Sequence, residues 1–164
     1  MQRYLAAIAV LGAILAAPAA QAETPASITI ADPAVFAAQL REMGYAPDPF
    51  SPGEVPTSLI HSGSNSYGVV LGGCTNGKDC SYVVLFGSFT DIVNPPADWV
   101  AKHNVDYDVI KVWLNDSKEL TYSTPVVANG LPRASFRAAV DLFIDSGQSL
   151  AREALTDGLA DQKK

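Results

Sequence analysis

The sequence is short of the residues on which much catalytic and metal-binding chemistry depends. Its 164 residues include two cysteines and two histidines. Neither His61 nor His103 stands at ligand spacing from the cysteine pair, which excludes the compact Cys/His zinc patterns. Basic residues are scarce too, 11 against 17 acidic, and the longest basic run is Lys163-Lys164 at the tail. Duplex affinity comes mainly from Lys and Arg neutralising phosphates, so nucleic acid is not an expected partner. Gly68, Gly72 and Gly73 make neither Gly-x-Gly-x-x-Gly nor a phosphate loop. They read instead as close-packing or bulge positions in a strand. Ser62 and Ser64 flank Gly63 without a Gly-x-Ser-x-Gly elbow. No cofactor or metal is expected.

What the sequence does have begins at its N-terminus. Arg3 supplies a short positive region, Leu5 to Ala17 is an apolar run relieved only by Gly12, and Pro18 ends it. Ala20-Gln21-Ala22 then offers the small residues of a signal-peptidase site, which predicts cleavage between Ala22 and Glu23. The run is short against the ~20 residues of a bilayer span, and no later stretch is longer. Residues 1–22 therefore read as a cleaved secretory signal, with no membrane span in the mature chain and a periplasmic destination. Without Arg3, 10 basic residues face 17 acidic ones, a net charge of −7.

Cys74 and Cys80 enclose Thr-Asn-Gly-Lys-Asp. An even, closely spaced pair in an oxidising compartment reads as a disulfide. Asn76-Gly77 between apolar runs is a hairpin-turn signal, so the bond staples a hairpin loop. Chain entropy for so small a loop is worth on the order of 2 kcal/mol.

Residues 23–31 read as a flexible lead-in, 32–157 as a single domain and 158–164 as a frayed tail. Asp32 is an N-cap with Pro33 in the first turn of a helix. Val35, Phe36, Leu40 and Met43 form its apolar face, and Gly44 stops it. Residues 46–56, with four prolines, read as a loop. Strand patterns follow at 57–61, 67–71 and 81–89, making a meander. Asn94-Pro95-Pro96 opens a short helix with Trp99 and Val100. Residues 109–114 and 120–127 form a hairpin around Asn115-Asp116-Ser117. Asn129-Gly130 leads into a last helix on which Phe136, Val140, Phe143, Ile144 and Gly147 share a face, with Leu150 and Leu155 extending it. The order α-β-β-β-α-β-β-α defines an α+β domain, an antiparallel sheet with flanking helices, not a βαβ nucleotide fold.

Candidate chemistry is thin. His61 at a strand end is the one candidate base. Asn104, Asp106 and Asp108 resemble the start of a calcium loop, but Val109 and Asn115 stand where that loop requires Gly and Glu. Most aromatics alternate as core residues, Tyr67 with Val69 and Leu71 on one strand face, Tyr82 with Val84 and Phe86 on another. A tryptophan left exposed beside a sheet is a protein-binding anchor, and Trp99 and Trp113 are the candidates for a partner surface.

Residues 40–155 resemble the YbjN family, described as bacterial sensory transduction regulators. Leu40 to Tyr45, LREMGY, is similar to the family's first helix ending in a Gly-aromatic turn. Tyr67 to Phe89 is similar to the strand, Cys-bearing hairpin and aromatic strand of exported members. VIKVWLNDSKELTYSTPVVANGLPRASFRAAVDLFI, from Val109, is similar to the family's hairpin, Gly turn and final amphipathic helix. One departure is that the family's Trp-Asn pair before this hairpin is absent, since Asn104 follows His103. The resemblance implies a fold like class I type III secretion chaperones, sheet-mediated dimers and a protein-binding role, with no catalytic residues. A non-enzymatic binding or regulatory module is thus the leading expectation. A small periplasmic enzyme built around His61 and carboxylates, or a peptidoglycan-associated envelope protein, are the alternatives.

Overall fold

The computed structural model describes residues 27–63 and 65–160. The expected Ala22–Glu23 cleavage site and the apolar run before it lie outside them. None of the described helices is long and apolar enough to cross a membrane.

Three helices and six strands form an α+β domain. α1 spans Pro33–Glu42, β1 Ala46–Pro47, β2 Thr57–Ser62, β3 Asn65–Gly72 and β4 Tyr82–Val93. α2 spans Ala97–Asp106, β5 Lys111–Leu114, β6 Glu119–Val126 and α3 Arg133–Thr156. The sheet is wholly antiparallel in the order β1-β2-β3-β4-β6-β5. β1 to β4 run as a meander. The chain then crosses through α2 to the far edge, and β6 returns between β4 and β5.

Local chemistry fixes the turns. Asp32 accepts the backbone N–H groups of Ala34 at 2.8 Å and Val35 at 3.4 Å, capping α1. Gly44, at φ 92°, leaves the helix in the left-handed region. Between β3 and β4, Thr75 and Lys78 exchange both backbone hydrogen bonds, with Asn76 at φ 51° and Gly77 at φ 72°. Two positive φ angles define a type I′ turn, which matches strand twist. Cys74 and Cys80 are disulfide-bonded just behind it.

Period-2 alternation sorts the sheet faces. Ile60, Tyr67, Val69, Leu71, Val83 and Leu85 are buried on the helix side with Leu120 and Tyr122. α3 lays Phe136, Val140, Phe143, Ile144 and Leu150 onto them. Tyr122 stacks on Phe143 at 5.0 Å and on Phe89 at 5.2 Å. A Cβ at Gly87 would stand 2.6 Å from the Tyr122 ring, and one at Gly147 would overlap its hydroxyl end. Glycine on both sides of one tyrosine thus lets sheet and helix close on it.

Several expectations need correction. Residues 27–31 of the lead-in are not a loose leader. Ile28 and Ile30 are buried, Ile28 donates to the Leu131 carbonyl and accepts from Gly130 N–H, and the Gln39 side chain accepts from Thr29 N–H. The alternation Ile-Thr-Ile is itself a strand pattern. Residues 46–56 are not all loop, because Ala46–Pro47 pairs with β2 and makes the sheet six-stranded. Proline is admissible there since an edge strand has one side without ladder bonds. In α1, Val35 is 47% exposed while Gln39 is buried, because Val35 lies one residue off the Phe36–Leu40–Met43 stripe. In α3, Ala154 rather than Leu155 continues the stripe. Tyr82, Val84 and Phe86 sit opposite the core face, which Val83 and Leu85 occupy. Finally, Leu159 in the tail is buried and donates its N–H to Ala154, so residues 158–160 pack rather than fray.

Replacing Gly147 with Ala is expected to destabilise the protein by about 1–3 kcal/mol through overpacking, although Ala ordinarily favours a helix over Gly by about 1 kcal/mol. Tyr122→Phe removes the overlapping hydroxyl, so the double variant should lose less than the sum, with coupling of about 0.5 kcal/mol or more. Urea unfolding of the four proteins measures the cycle; strict additivity would show that the ring does not set the gap.

Candidate functional site

All three helices contact the sheet from its buried side or its margins, and the opposite face has no helix over it among the described residues. Along that face Leu59 neighbours Gly68, which pairs with Phe86, and Phe86 pairs with Ser123. One step on, Thr57, Val70, Val84 and Pro125 form a second row, and Gly72 pairs with Tyr82 in a third. The Phe86 ring covers Gly68, and the Tyr82 ring covers Gly72, so a Cβ at either glycine would overlap an aromatic ring. Glycine here lets two rings lie down on the sheet and makes the surface flat. Leu59 is 41% and Tyr82 40% exposed. Trp113 on β5 alternates away from buried Val112 and faces the same way, beside Lys111 and opposite Thr121.

The two candidate tryptophans do not share this surface. Trp99 is half-buried and stacks on His103 with ring centroids 3.7 Å apart, and its indole N–H donates to Asp157 at 2.8 Å. His103 is fully buried. Its Nδ1 lies 2.7 Å from the Trp99 carbonyl oxygen and its Nε2 2.8 Å from Glu153 Oε2. Tyr107 donates to the other Glu153 oxygen at 2.8 Å. This row docks α2 on the C-terminal half of α3 and is occupied with holding the fold. The pairing crosses the chain from residue 99 to residue 157, which no local pattern reveals.

His61 lies on the uncovered face near the β1 edge. Its Nδ1 is 2.8 Å from Ser66 Oγ and its Nε2 3.2 Å from Asp48 Oδ1. β1 makes this possible: Ala46 pairs with His61, and Asp48 is then held by its N–H to Leu59 O and its carbonyl to the Ser58 hydroxyl. The side chains of His61 and Asp48 are 41% and 51% exposed. Asp48–His61–Ser66 is a polar row that sequence spacing missed, since its members come from three elements.

The sheet edges are closed by different devices. β1 is two residues long and ends in proline. At the other edge the Asn104 side chain donates to the Val112 carbonyl at 2.6 Å and accepts the Val112 N–H at 2.8 Å. One amide thus stands in for a neighbouring strand. Asn104 and Asp106 lie within helix α2, not in a cation-binding loop. The sheet-mediated dimers that the resemblance implies would meet two blunted edges here.

Burial lifts the Tyr122 phenol well above its ordinary value, and the Tyr67 phenol adds to this. Burial likewise raises Tyr45 and Tyr107, which also donate to the carboxylates of Asp141 and Glu153. The Ala34 N–H on its carboxylate holds Asp32 below the usual range.

Compared with known proteins, the chain matches no family model, no curated protein and no solved structure. The class defined by the fold is an α+β domain with one helix-covered and one uncovered sheet face.

Asn104→Ala should cost about 1–2 kcal/mol for its two lost hydrogen bonds, and the opened β5 edge should make sedimentation concentration-dependent. Unchanged sedimentation would mean the edge is protected by something else. For the phenols, folded values above 10 mean that stability is fully present below pH 10 and falls as the unfolded chain ionises above it. Denaturation midpoints at pH 8 and pH 11 check this, and equal midpoints would contradict it.

Proposed function

We propose that this chain is an exported, non-enzymatic protein-binding module of the regulatory kind that the YbjN resemblance implies. The uncovered sheet face carries the reading: two aromatic rings lie over glycines beside aliphatic side chains on a surface with few charges. A surface of this kind gains free energy when apolar area is removed from water, about 25 cal/mol per Å². The Cys74–Cys80 disulfide is compatible with an oxidising compartment, and the leader at residues 1–22 supports export. A second copy of the chain is the occupant the face suits best. The net charge of −7 does not concentrate there, so like-charge repulsion across a two-fold axis is small, and the blunted edges leave the face as the place to meet.

A hydrolytic reading has one supporting observation, the Asp48–His61–Ser66 row. Its members are well exposed, so the row sits in a high dielectric where its hydrogen bonds gain little strength. It ranks second for that reason.

Phe86→Asp together with Tyr82→Asp places two carboxylates on the face without touching the core. The purified wild-type protein should sediment as a dimer, and the double variant as a folded monomer. A wild-type protein that stays monomeric and enriches no protein from crosslinked periplasmic extract, while hydrolysing an activated ester in a way that His61→Ala abolishes, would transfer the function to the polar row.

A further inference from the structure

An open hollow lies away from the sheet face, where three segments distant in sequence meet. α1 forms one side, the proline-rich segment after β1 a second, and the disulfide-closed turn the third. Its volume is about 480 Å³, within the range that holds small ligands.

Each wall is fixed independently of any ligand. Asp32 caps α1 from its own backbone. The proline-rich segment is pinned by the Phe50 ring, 6.0 Å from that of buried Phe36, and by reciprocal bonds between Ser51 and Thr57. The turn is held by the Cys74–Cys80 bond and by the Asp79 N–H donating to the Ala31 carbonyl at 2.7 Å. Turn and proline-rich segment touch where a Cβ on Gly77 would overlap the Gly53 carbonyl. A site already in shape loses little entropy on binding.

The lining divides in two. Pro49, Phe50, Pro52 and Ala37 give it an apolar body. Arg41 from α1 and Lys78 from the turn put two cations at its rim. Lys78 Nζ stands 3.4 Å from Asp32 Oδ2, but that carboxylate also accepts two helix N–H groups through its other oxygen. Arg41 has no carboxylate partner among the described residues. The three charged groups lining the hollow sum to +1, on a chain whose total is −7 after leader removal. A local excess of positive charge beside an apolar wall selects for one negative charge on an apolar body.

We infer that this hollow is a binding site for a monocarboxylate carried on an apolar body of about dipeptide size, the carboxylate meeting Arg41 and Lys78 and the body lying against Phe50 and the prolines. The arginine fork pairs naturally with a carboxylate. Two sources share this chemistry, the C-terminus of a peptide and a free aromatic acid. The site is independent of the sheet-face reading, and its failure would leave that reading intact.

The test titrates the isotope-labelled protein, disulfide intact, with N-acetylphenylalanine, phenylpropionate and N-acetylphenylalanine amide, following backbone amide signals by NMR. Signals of residues 34, 41, 53, 77 and 78 should move with both acids, and the uncharged amide should bind at least ~10-fold more weakly, the size of a lost charge-assisted hydrogen bond. Tighter binding of the N-acetylated acid assigns the peptide source, and tighter or equal binding of phenylpropionate the free acid. Arg41→Gln should weaken both acids by a similar ~10-fold, while Arg137→Gln, which alters a cation on α3 away from the hollow, should not. Equal affinity for acid and amide, shifts confined to other residues, no shifts, or an indifferent Arg41→Gln protein of unchanged fold would each overturn the assignment.

Discussion

Tyr122 fills the gap between Gly87 of β4 and Gly147 of α3, and the placement of the long helix follows from it. The ring stacks on Phe143 and Phe89, while Phe143 meets Tyr67 edge-on at 5.7 Å. With α3 seated there, its two ends fall where other parts of the chain need them. The N-terminal end meets residues 27–31, which return to pair beside Leu131 and Pro132. The C-terminal end presents Glu153 and Asp157 to His103, Tyr107 and Trp99 of α2. α2 in turn aims Asn104 at the β5 edge. A packing constraint at one ring is therefore felt at both ends of the chain and at one margin of the sheet.

The sheet ends up with its two faces used differently. One is dry and saturated with helix contacts. The other keeps aromatic side chains on the surface but supports them on glycine, so they neither project nor find a core. Closed edges and an open face are a consistent pair: edge pairing extends without limit, whereas a face can be covered once by a symmetric partner.

What was legible in the sequence was local or periodic. Asp32-Pro33 and Asn76-Gly77 announced a cap and a turn because their chemistry is complete within four residues. The α3 stripe was visible from Phe136 to Leu150 and slipped by one position at Leu155, because a small residue, Ala154, holds the true place and carries no hydrophobic signal of its own. Composition concealed other features. The prolines around Pro47 hide an edge strand, and the short Ile-Thr-Ile segment reads as a tether. Beyond reach altogether were arrangements assembled by tertiary closure: the Asp48–His61–Ser66 row, the engagement of Trp99 with Asp157, and the hollow under the disulfide turn. Each joins residues from separate elements, so no local pattern in the order of residues fixes it.

The disulfide joins two residues already brought together by hairpin hydrogen bonds, at the tip of β3 and β4, with Cys80 buried at the margin of the core. With only two cysteines there is a single possible pairing, so oxidation has no wrong product to sort through and needs no long-range search. The covalent bond consequently works as a rivet where a surface turn meets the interior: one sulfur is anchored among buried side chains, and the corner at Asn76-Gly77 is carried outward from a fixed base.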